Sequence, residues 1–389
     1  MRLPHLSLAA QRVATRLLFG ASLVASHSAC TTTDNSMVNQ QVVFGPSLAS
    51  PSVVTGGVGW SMRVQGRVFE PPESSRSRQA MIDALAPAVG ANRNDPHFRS
   101  RADYFVADSV RNARISIKIG NRIVVLPETS DAAGCFSADI AIDSDEVASL
   151  AHDGIIDFES HPTRVQGSNF RGTALLLSTE GVTVVTDLDD TIKETNVNNH
   201  AEAKANLFVR PFKPVAGMPE LYRAWQQADD ANLHFHVVSA GPWQFHEPLR
   251  RFTESVGFPK FTWDMRCVDI TDPAVLIDEI VKADPQRIFA FKVAKIGAFM
   301  KRYPKRHVVL VGDSGERDPE VYAAIVREFG ELVDAVYIHN VSREGPGAKR
   351  YDALFRPLNA LGKLQVFDQP GELPQRLGGV RNGAAISNH

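Results

Sequence analysis

The stretch GVTVVTDLDDTIKETN, residues 181–196, decides how the rest of the chain is read. Val182 to Thr186 form a short, β-branched, apolar run that reads as a strand buried on both faces. It ends on Asp187, and Asp189 and Thr191 follow at alternate positions. A buried parallel strand delivers its last side chains to the carboxyl edge of its sheet, where open α/β folds bind ligands. Two carboxylates there cannot pair with each other. They favour a divalent cation, and close together they split into nucleophile and acid roles. Taken alone the pattern is also an Asp-rich turn that caps the next element, so its weight depends on its surroundings.

Downstream, strand-like and helix-like stretches alternate. LHFHVVS (233–239), FTWDMRC (261–267), HVVLVGD (307–313) and VDAVYIH (333–339) read as strands. MPELYRAWQQAD, WQFHEPLRRFTESV, VAKIGAFMKRY and PEVYAAIVREF read as helices between them, with Pro219 and Pro319 near helix starts, where a missing N–H costs nothing. Such alternation predicts a parallel sheet covered on both faces. Three strand ends then carry polar groups: Asp187 with Asp189, Ser239, and Asp313. Lys292 lies on the helix before the fourth strand, and Asp318 opens the helix after it.

Brought to one edge, this set suits phosphoryl transfer. An aspartate can attack phosphorus and form an aspartyl-phosphate, and a carboxylate two residues on can protonate the leaving oxygen and later activate water. Asp187 and Asp313 can hold Mg²⁺, while Ser239 and Lys292 bind the equatorial oxygens where charge sits in the transition state. Each residue also has a plain reading. Ser239 is a possible helix cap, Lys292 a solvated lysine with Lys295 as a rival, and Asp313-Ser314-Gly315 a turn. Their order along the chain favours the chemical reading.

Upstream, residues 59–180 are mostly β in character. WSMRVQGRVFE, CFSADIAI, GIIDFES and GTALLLS read as short strands, and ARISIKIGNRIVVLPE alternates on both sides of Gly120-Asn121, a hairpin signal. One helix interrupts around RQAMIDALAPAV. A small antiparallel sandwich or barrel-like domain is expected, with His97, Arg99 and Asp108 as surface-loop residues. Residues 31–58, rich in Ser, Thr, Asn, Gly and Pro, read as a tether. Before them, Arg2, Arg12 and Arg16 precede the apolar LLFGASLVA, and no acidic residue occurs before Asp34, which is the pattern of an export signal. Cys30 after Ser28-Ala29 is similar to a lipoprotein cleavage site. Across the 389 residues the formal net charge is −2, which offers no electrostatic argument for a nucleic-acid partner. Cys30, Cys135 and Cys267 have no zinc spacing and read as no disulfide framework. The tail after about Leu377 reads as disordered.

The order Asp187-x-Asp189-x-Thr191, Ser239, Lys292 and Gly312-Asp313 resembles the four motifs of the haloacid-dehalogenase superfamily. TDLDDTIKETNV, RPFKPVAGMPELY, FHVVSAGPWQF and VLVGDSGERDPEVY resemble, more narrowly, the catalytic domain of the Mg²⁺-dependent phosphatidate phosphatases first named for an actin-patch protein. The resemblance covers about residues 180–343. It implies Asp187 as nucleophile, Asp189 as acid/base, Ser239 and Lys292 as phosphate binders and Asp313 as metal ligand. Thr191, Lys193 and Ala240 join Ser239 and Lys292 as expected substrate-binding residues, and Asp189 and Asp318 join Asp187 and Asp313 as expected Mg²⁺ ligands. Ala240-Gly241 stands where Asn-Ser is usual, and His339 where an arginine is common.

The expected fold is α/β: a Rossmann-like parallel sheet of haloacid-dehalogenase type with a small cap (181–345), preceded by a mostly β domain (59–180) and followed by a C-terminal helix and tail (346–389). The cap would be the short insertion Ile192–Gly217, which interleaves Lys193, Lys204, Arg210 and Lys213 with Leu207, Phe208 and Phe212. That mixture suits an anionic lipid surface, or equally a cap packing its own apolar side chains. The expected activity is Mg²⁺-dependent hydrolysis of phosphatidate to diacylglycerol, by an exported, periplasmic or membrane-anchored protein with Cys30 as the site for a lipid anchor, the alternative being a cytoplasmic protein with a disordered N-terminus. The alternatives are a phosphomonoesterase for soluble or protein-bound phosphate, and a non-catalytic lipid- or surface-binding protein. The pair Asp187 and Asp189 argues against the last, since binding alone needs no acid/base.

Overall fold

In the computed structural model, which describes residues 40–377 apart from 55–56, 71–75, 162–169, 229–231 and 270–283, the chain builds two sheets in succession. The expected export signal, Cys30 and the tail beyond Leu377 lie outside the described residues. The first sheet contains β1 (Gln41–Phe44), β2 (Ser47–Val54), β3 (Gly57–Glu70), β4 (Asp108–Ser109) and β5 (Arg114–Ile119). It is completed by β6 (Arg122–Thr129), β7 (Cys135–Asp143), β8 (Ile155–Ser160) and β9 (Arg171–Leu176). Helices α1 (Arg76–Ala88), α2 (Pro96–Phe105) and α3 (Ser144–Leu150) interrupt it. The order is β1-β3-β2-β9-β8-β5-β6, with β4 and β7 also on β3. Every pair is antiparallel except β2 with β9. The β5–β6 hairpin turns where expected, and Gly120 takes the φ of +53° that a two-residue turn demands at its first position.

Two expectations fail here. The stretch read as a tether enters the sheet at Gln41, because QVVF and SLASPSVV find partners in β3 and β9 despite their serines and proline. His97 and Arg99 sit on α2 rather than on a loop. Asp95 caps that helix by accepting the backbone N–H of His97 and Phe98 at 2.8 and 3.0 Å, and Pro96 occupies the first turn. Asp108 is exposed on β4, as a surface residue should be.

The second sheet is parallel throughout, in the order β12-β11-β10-β13-β14-β15. Its strands are β10 (Glu180–Thr186), β11 (Leu233–Pro242), β12 (Phe261–Arg266), β13 (Lys305–Asp313), β14 (Val333–His339) and β15 (Leu364–Phe367). The last, a half-buried LQVF, was not foreseen. Between them lie α4 (His200–Phe208), α5 (Met218–Ala228), α6 (His246–Ser255), α7 (Pro285–Arg302), α8 (Asp318–Phe329) and α9 (Lys349–Phe355). Successive residues of the central strands go to opposite faces. Val184, Val237, Val309 and Val311 join one apolar cluster with Leu221 and Trp225 of α5. Val185, Val238, Val308 and Leu310 join another with Ile296 and Met300 of α7 and Ile325 of α8. Both faces are therefore covered, which explains why the strands read as unbroken apolar runs.

At the amino ends of these strands Arg306 is 1% exposed and forks into the chain. It donates to Thr183 Oγ1 at 2.9 Å and to the carbonyls of Ser178, Glu180, Val182 and Asn232 at 2.6–2.9 Å. The clamp fixes β10 against its neighbours, and so fixes what arrives at the opposite edge. Register does the rest: Thr186 lies beside Val237 and Val311, which brings Asp187, Ser239 and Asp313 to one line.

The cysteines correct the sequence reading. Cys135 of β7 and Cys267, just after β12, form a disulfide with Cα atoms 6.2 Å apart. At a separation of 132 residues no spacing rule could have paired them. Among the described residues no helix is long and apolar enough to cross a membrane.

His246, which opens α6, is buried with its ring stacked on Trp243 at 4.6 Å and edge-on to Trp263 at 5.5 Å. Neither ring nitrogen has a hydrogen-bond partner among the described residues, and burial pushes its pKa down to about 4. A histidine whose folded pKa lies below its unfolded value stabilises fully above the unfolded value and loses that contribution as pH falls towards the folded one. At pH 5 the loss is roughly 2 kcal/mol. His246→Phe keeps the stack and removes the proton site, so its urea midpoint should fall less than the parent's between pH 7 and pH 5. Parallel losses in the two proteins would show that His246 is not the group responsible.

Candidate active site

The carboxyl edge of the parallel sheet is crowded with acids. Asp187 follows β10, is 2% exposed, and donates its backbone N–H to Val311 O at 2.8 Å. Asp313 closes β13, and Asp318 opens α8; both are fully buried. Asp187, Asp313 and Asp318 can each offer a carboxylate oxygen with all three atoms within 4.8 Å of one another. Gly312 makes that approach possible, because a Cβ there would lie 2.4 Å from Asp318 Oδ2 and 2.7 Å from the Tyr322 hydroxyl.

One ammonium holds the cluster together. Lys292, buried on α7, donates to Asp187 Oδ1 at 2.7 Å, Asp318 Oδ1 at 2.6 Å and Glu316 Oε2 at 3.2 Å. Burial alone would push its pKa down, but these carboxylates override burial and hold it well above the ordinary lysine value. Lys295, the rival, instead pairs with Asp264 at 3.1 Å. Burial pushes Asp187 and Asp313 well above the ordinary carboxylate range, and neighbouring acids add to the rise. Asp313 Oδ1 accepts the N–H of Gly315 at 2.6 Å and of Glu316 at 3.2 Å, whereas its buried Oδ2 has no hydrogen-bond partner among the described residues. An orphaned carboxylate oxygen facing two other buried acids is what a divalent cation would satisfy, and this donor set fits one.

Asp189 lies outside that set of three. It is partly exposed and its Oδ1 is taken by Lys193 at 2.8 Å and by the Thr195 hydroxyl. Against the upward push of desolvation, Lys193 and Thr195 hold its pKa below the ordinary value. Lys193, expected to meet substrate or an anionic surface, is fully buried and spent on Asp189 and Thr195. The loop that carries them is wound tightly. Asp190 takes a φ of +54° and accepts the backbone N–H of Thr195, Asn196 and Val197 at 2.7–2.8 Å.

Of the remaining expected residues, Thr191 is buried with its hydroxyl 3.5 Å from Asp187 Oδ2. Ser239 is buried at the end of the β11 apolar run, where its hydroxyl accepts the N–H of Gly241 at 3.1 Å, and Ala240 is partly exposed beside it. His339 spans to the same loop from β14, donating Nδ1–H to the Asp190 carbonyl at 2.6 Å. Sequence reasoning missed Glu316, Thr195 and Tyr222. Glu316 lies three residues past Asp313, which was signal enough to find it. Tyr222 donates to Thr186 Oγ1 at 2.8 Å, and that hydroxyl donates to the Asp187 carbonyl at 2.8 Å, a route no linear spacing reveals.

The short insertion packs its largest apolar side chain inward. Phe208 is fully buried, in ring contact with Phe105 at 5.7 Å and Phe245 at 5.4 Å. Leu207 and Phe212 pack against the same cluster. Arg210 pairs with Glu202, and Lys204 donates to the Ala88 carbonyl at 3.4 Å. Among the described residues the cap spends its apolar side chains on the interior, so Phe208 cannot enter an acyl layer without unfolding it.

Comparison with known proteins covers the segment that carries these residues. Residues 182–340 match the family described as "Phosphatidate phosphatase APP1, catalytic domain". Phosphatidate phosphatase APP1 of Saccharomyces cerevisiae is 27% identical over 193 residues, covering 49% of this chain and 31% of that protein. An uncharacterized protein of Schizosaccharomyces pombe is 23% identical over 169 residues, covering 43% of this chain and 26% of that protein. The chain thus spans less than a third of either relative's length. These matches support the phosphatidate phosphatase family of the actin-patch type for this segment.

The crowding of acids generates a test. Asp313→Asn removes one buried carboxylate, so the protein freed of divalent ions should melt higher than the parent. Mg²⁺ should raise the parent's melting temperature, by about 2.7 kcal/mol of stabilisation at a hundred times its dissociation constant, and should do little for the variant. Equal Mg²⁺ responses would remove Asp313 from the binding set.

Proposed function

We propose that this protein is a Mg²⁺-dependent phosphatase of haloacid-dehalogenase type, with phosphatidate as its substrate. The observation that carries the reading is the Lys292 ammonium shared by Asp187 and Asp318, beside the orphaned Asp313 oxygen, at the carboxyl edge of a parallel sheet. The phosphatidate assignment is supported by the family match and the yeast relative's name. A Mg²⁺ ion held by Asp187, Asp313 and Asp318 would neutralise charge between an anionic nucleophile and an anionic phosphate.

An Asp187 carboxylate oxygen forms a bond to phosphorus as the bond from phosphorus to the leaving oxygen breaks, giving an aspartyl-phosphate. Asp189 gives its proton to the leaving oxygen, then takes one from the water that hydrolyses the intermediate. A dianionic phosphate arriving beside Asp189 raises that carboxyl's affinity for a proton, offsetting the hold of Lys193. Lys292 lies within reach of Asp187 and binds the equatorial oxygens, with the Ser239 hydroxyl on the neighbouring strand.

Location belongs to the same proposal. The Arg-flanked apolar N-terminus and Cys30 point to export and a lipid anchor, and the Cys135–Cys267 disulfide supports an oxidising compartment. Native protein should begin at Cys30 by mass spectrometry; an intact Met1 end would exclude export.

For the chemistry, phosphate release from phosphatidate vesicles should require Mg²⁺. Asp187→Asn should abolish it, and Asp189→Asn should slow it by about 10²–10⁴. Release from soluble esters alone would keep the mechanism and replace the substrate. Near-normal activity in either variant would end the aspartyl-phosphate reading.

A further inference from the structure

Helix α2 lies some eighty residues before the family match begins, yet it reaches the active-site loops. Arg101 is 5% exposed and aims its guanidinium into the insertion, donating to the carbonyls of Leu207 and Arg210 at 2.7 Å each. Those carbonyls lie at the end of α4 and just beyond it, where helix acceptors lack partners and a cation is favoured. The same guanidinium lies 3.8 Å from the centre of the Phe212 ring. Burial lowers its pKa to about 10, so it is charged at neutral pH. A buried guanidinium met by carbonyls and a ring is costly to keep, and it ties down one segment in particular.

That segment holds the acid/base. Lys193 Nζ lies 5.6 Å from the centre of the same Phe212 ring and ion-pairs Asp189 at 2.8 Å. The backbone repeats the connection, since Glu194 N–H donates to Lys213 O at 2.9 Å and Val215 N–H to Ile192 O at 3.1 Å. A parallel contact serves the opposite side of the site. Phe105, one turn after Arg101, touches Phe208 at 5.7 Å and Phe245 at 4.4 Å, and Phe245 ends the short turn that follows Ser239.

We propose that Arg101 is a positioning residue for the acid/base Asp189, acting by clamping residues 207–212 beneath Lys193, so that the region upstream of the family match completes the active site. The inference rests on the phosphatase reading given above. With Arg101 gone, the Phe212 seat of Lys193 loosens, and Asp189 is less often in line to protonate a leaving oxygen. The bond from Asp187 to phosphorus is not affected directly.

Leaving-group dependence separates this from plain loss of structure. Phenyl phosphate and p-nitrophenyl phosphate have nearly the same shape, but p-nitrophenol is the stronger acid and departs with little help from a proton. The ratio kcat/KM reports the step in which the leaving group departs. With the full chain and Mg²⁺, Arg101→Met should lower kcat/KM on phenyl phosphate about tenfold or more and on p-nitrophenyl phosphate no more than about threefold. Phe212→Leu, which keeps the guanidinium–carbonyl bonds, should show the same split more weakly and serves should Arg101→Met fail to fold. Equal losses on both esters, or no loss on either, would overturn the positioning role. A parent protein that releases phosphate neither from these esters nor from phosphatidate vesicles would instead remove the phosphatase reading, and the role with it.

Discussion

A single buried ammonium makes this site possible. Asp187, Asp313 and Asp318 are buried within one cluster, with Glu316 adjoining, and like charges at such range raise one another's proton affinity. Lys292 offsets that by touching three of the four. Removing one partner of a buried ion pair typically costs about 3–5 kcal/mol, so the lysine has a structural duty before any chemical one. The remainder of α7 serves to hold it. Ile296, Phe299 and Met300 anchor the helix on the sheet, and Asp284 caps its start by accepting the Gln286 N–H at 2.9 Å.

What could be read from the chain was whatever the sheet repeats. The apolar runs ending in Asp187, Ser239 and Asp313 are strands because both faces are covered, and a covered strand can present a polar group to a ligand only at its end. The order of polar ends was therefore visible, and the structure gathers Asp187, Asp313, Asp318 and Lys292. The choice between Lys292 and Lys295 was not visible, because one helical turn separates them and each meets a carboxylate, Lys292 buried on Asp187 and Lys295 half-exposed on Asp264. Asp189 was rightly noticed, but its company was not. Lys193 looked like a surface cation, and only the fold shows that Phe212 and Asp189 enclose it.

The short insertion shows why mixed basic and apolar patterns mislead. Lys204, Arg210, Leu207 and Phe208 alternate much as a membrane-seeking helix would. In the fold, Phe208 goes inward, Arg210, just past the helix, returns to Glu202 in its first turn, and Lys204 reaches an upstream carbonyl. The pattern records a helix pressed between α2 and the solvent. The β1 and β2 strands were hidden for the converse reason. Their serines and Pro51 look like linker, yet pairing with β3 outweighs weak intrinsic preference.

The apolar cluster under α5 has a consequence for how such proteins descend from one another. Ile82, Leu85, Phe98 and Phe105 from before the parallel sheet share it with Leu188, Phe208 and Trp263. Cys135 and Cys267 join the two regions a second time, covalently. The recognisable segment starts at Val182, but the interior it needs starts a hundred residues earlier. Heredity and folding therefore draw different borders on this chain. A lineage that swapped its upstream sheet for another module would have to find new side chains for the vacated half of a shared interior, so the two parts are constrained to change together.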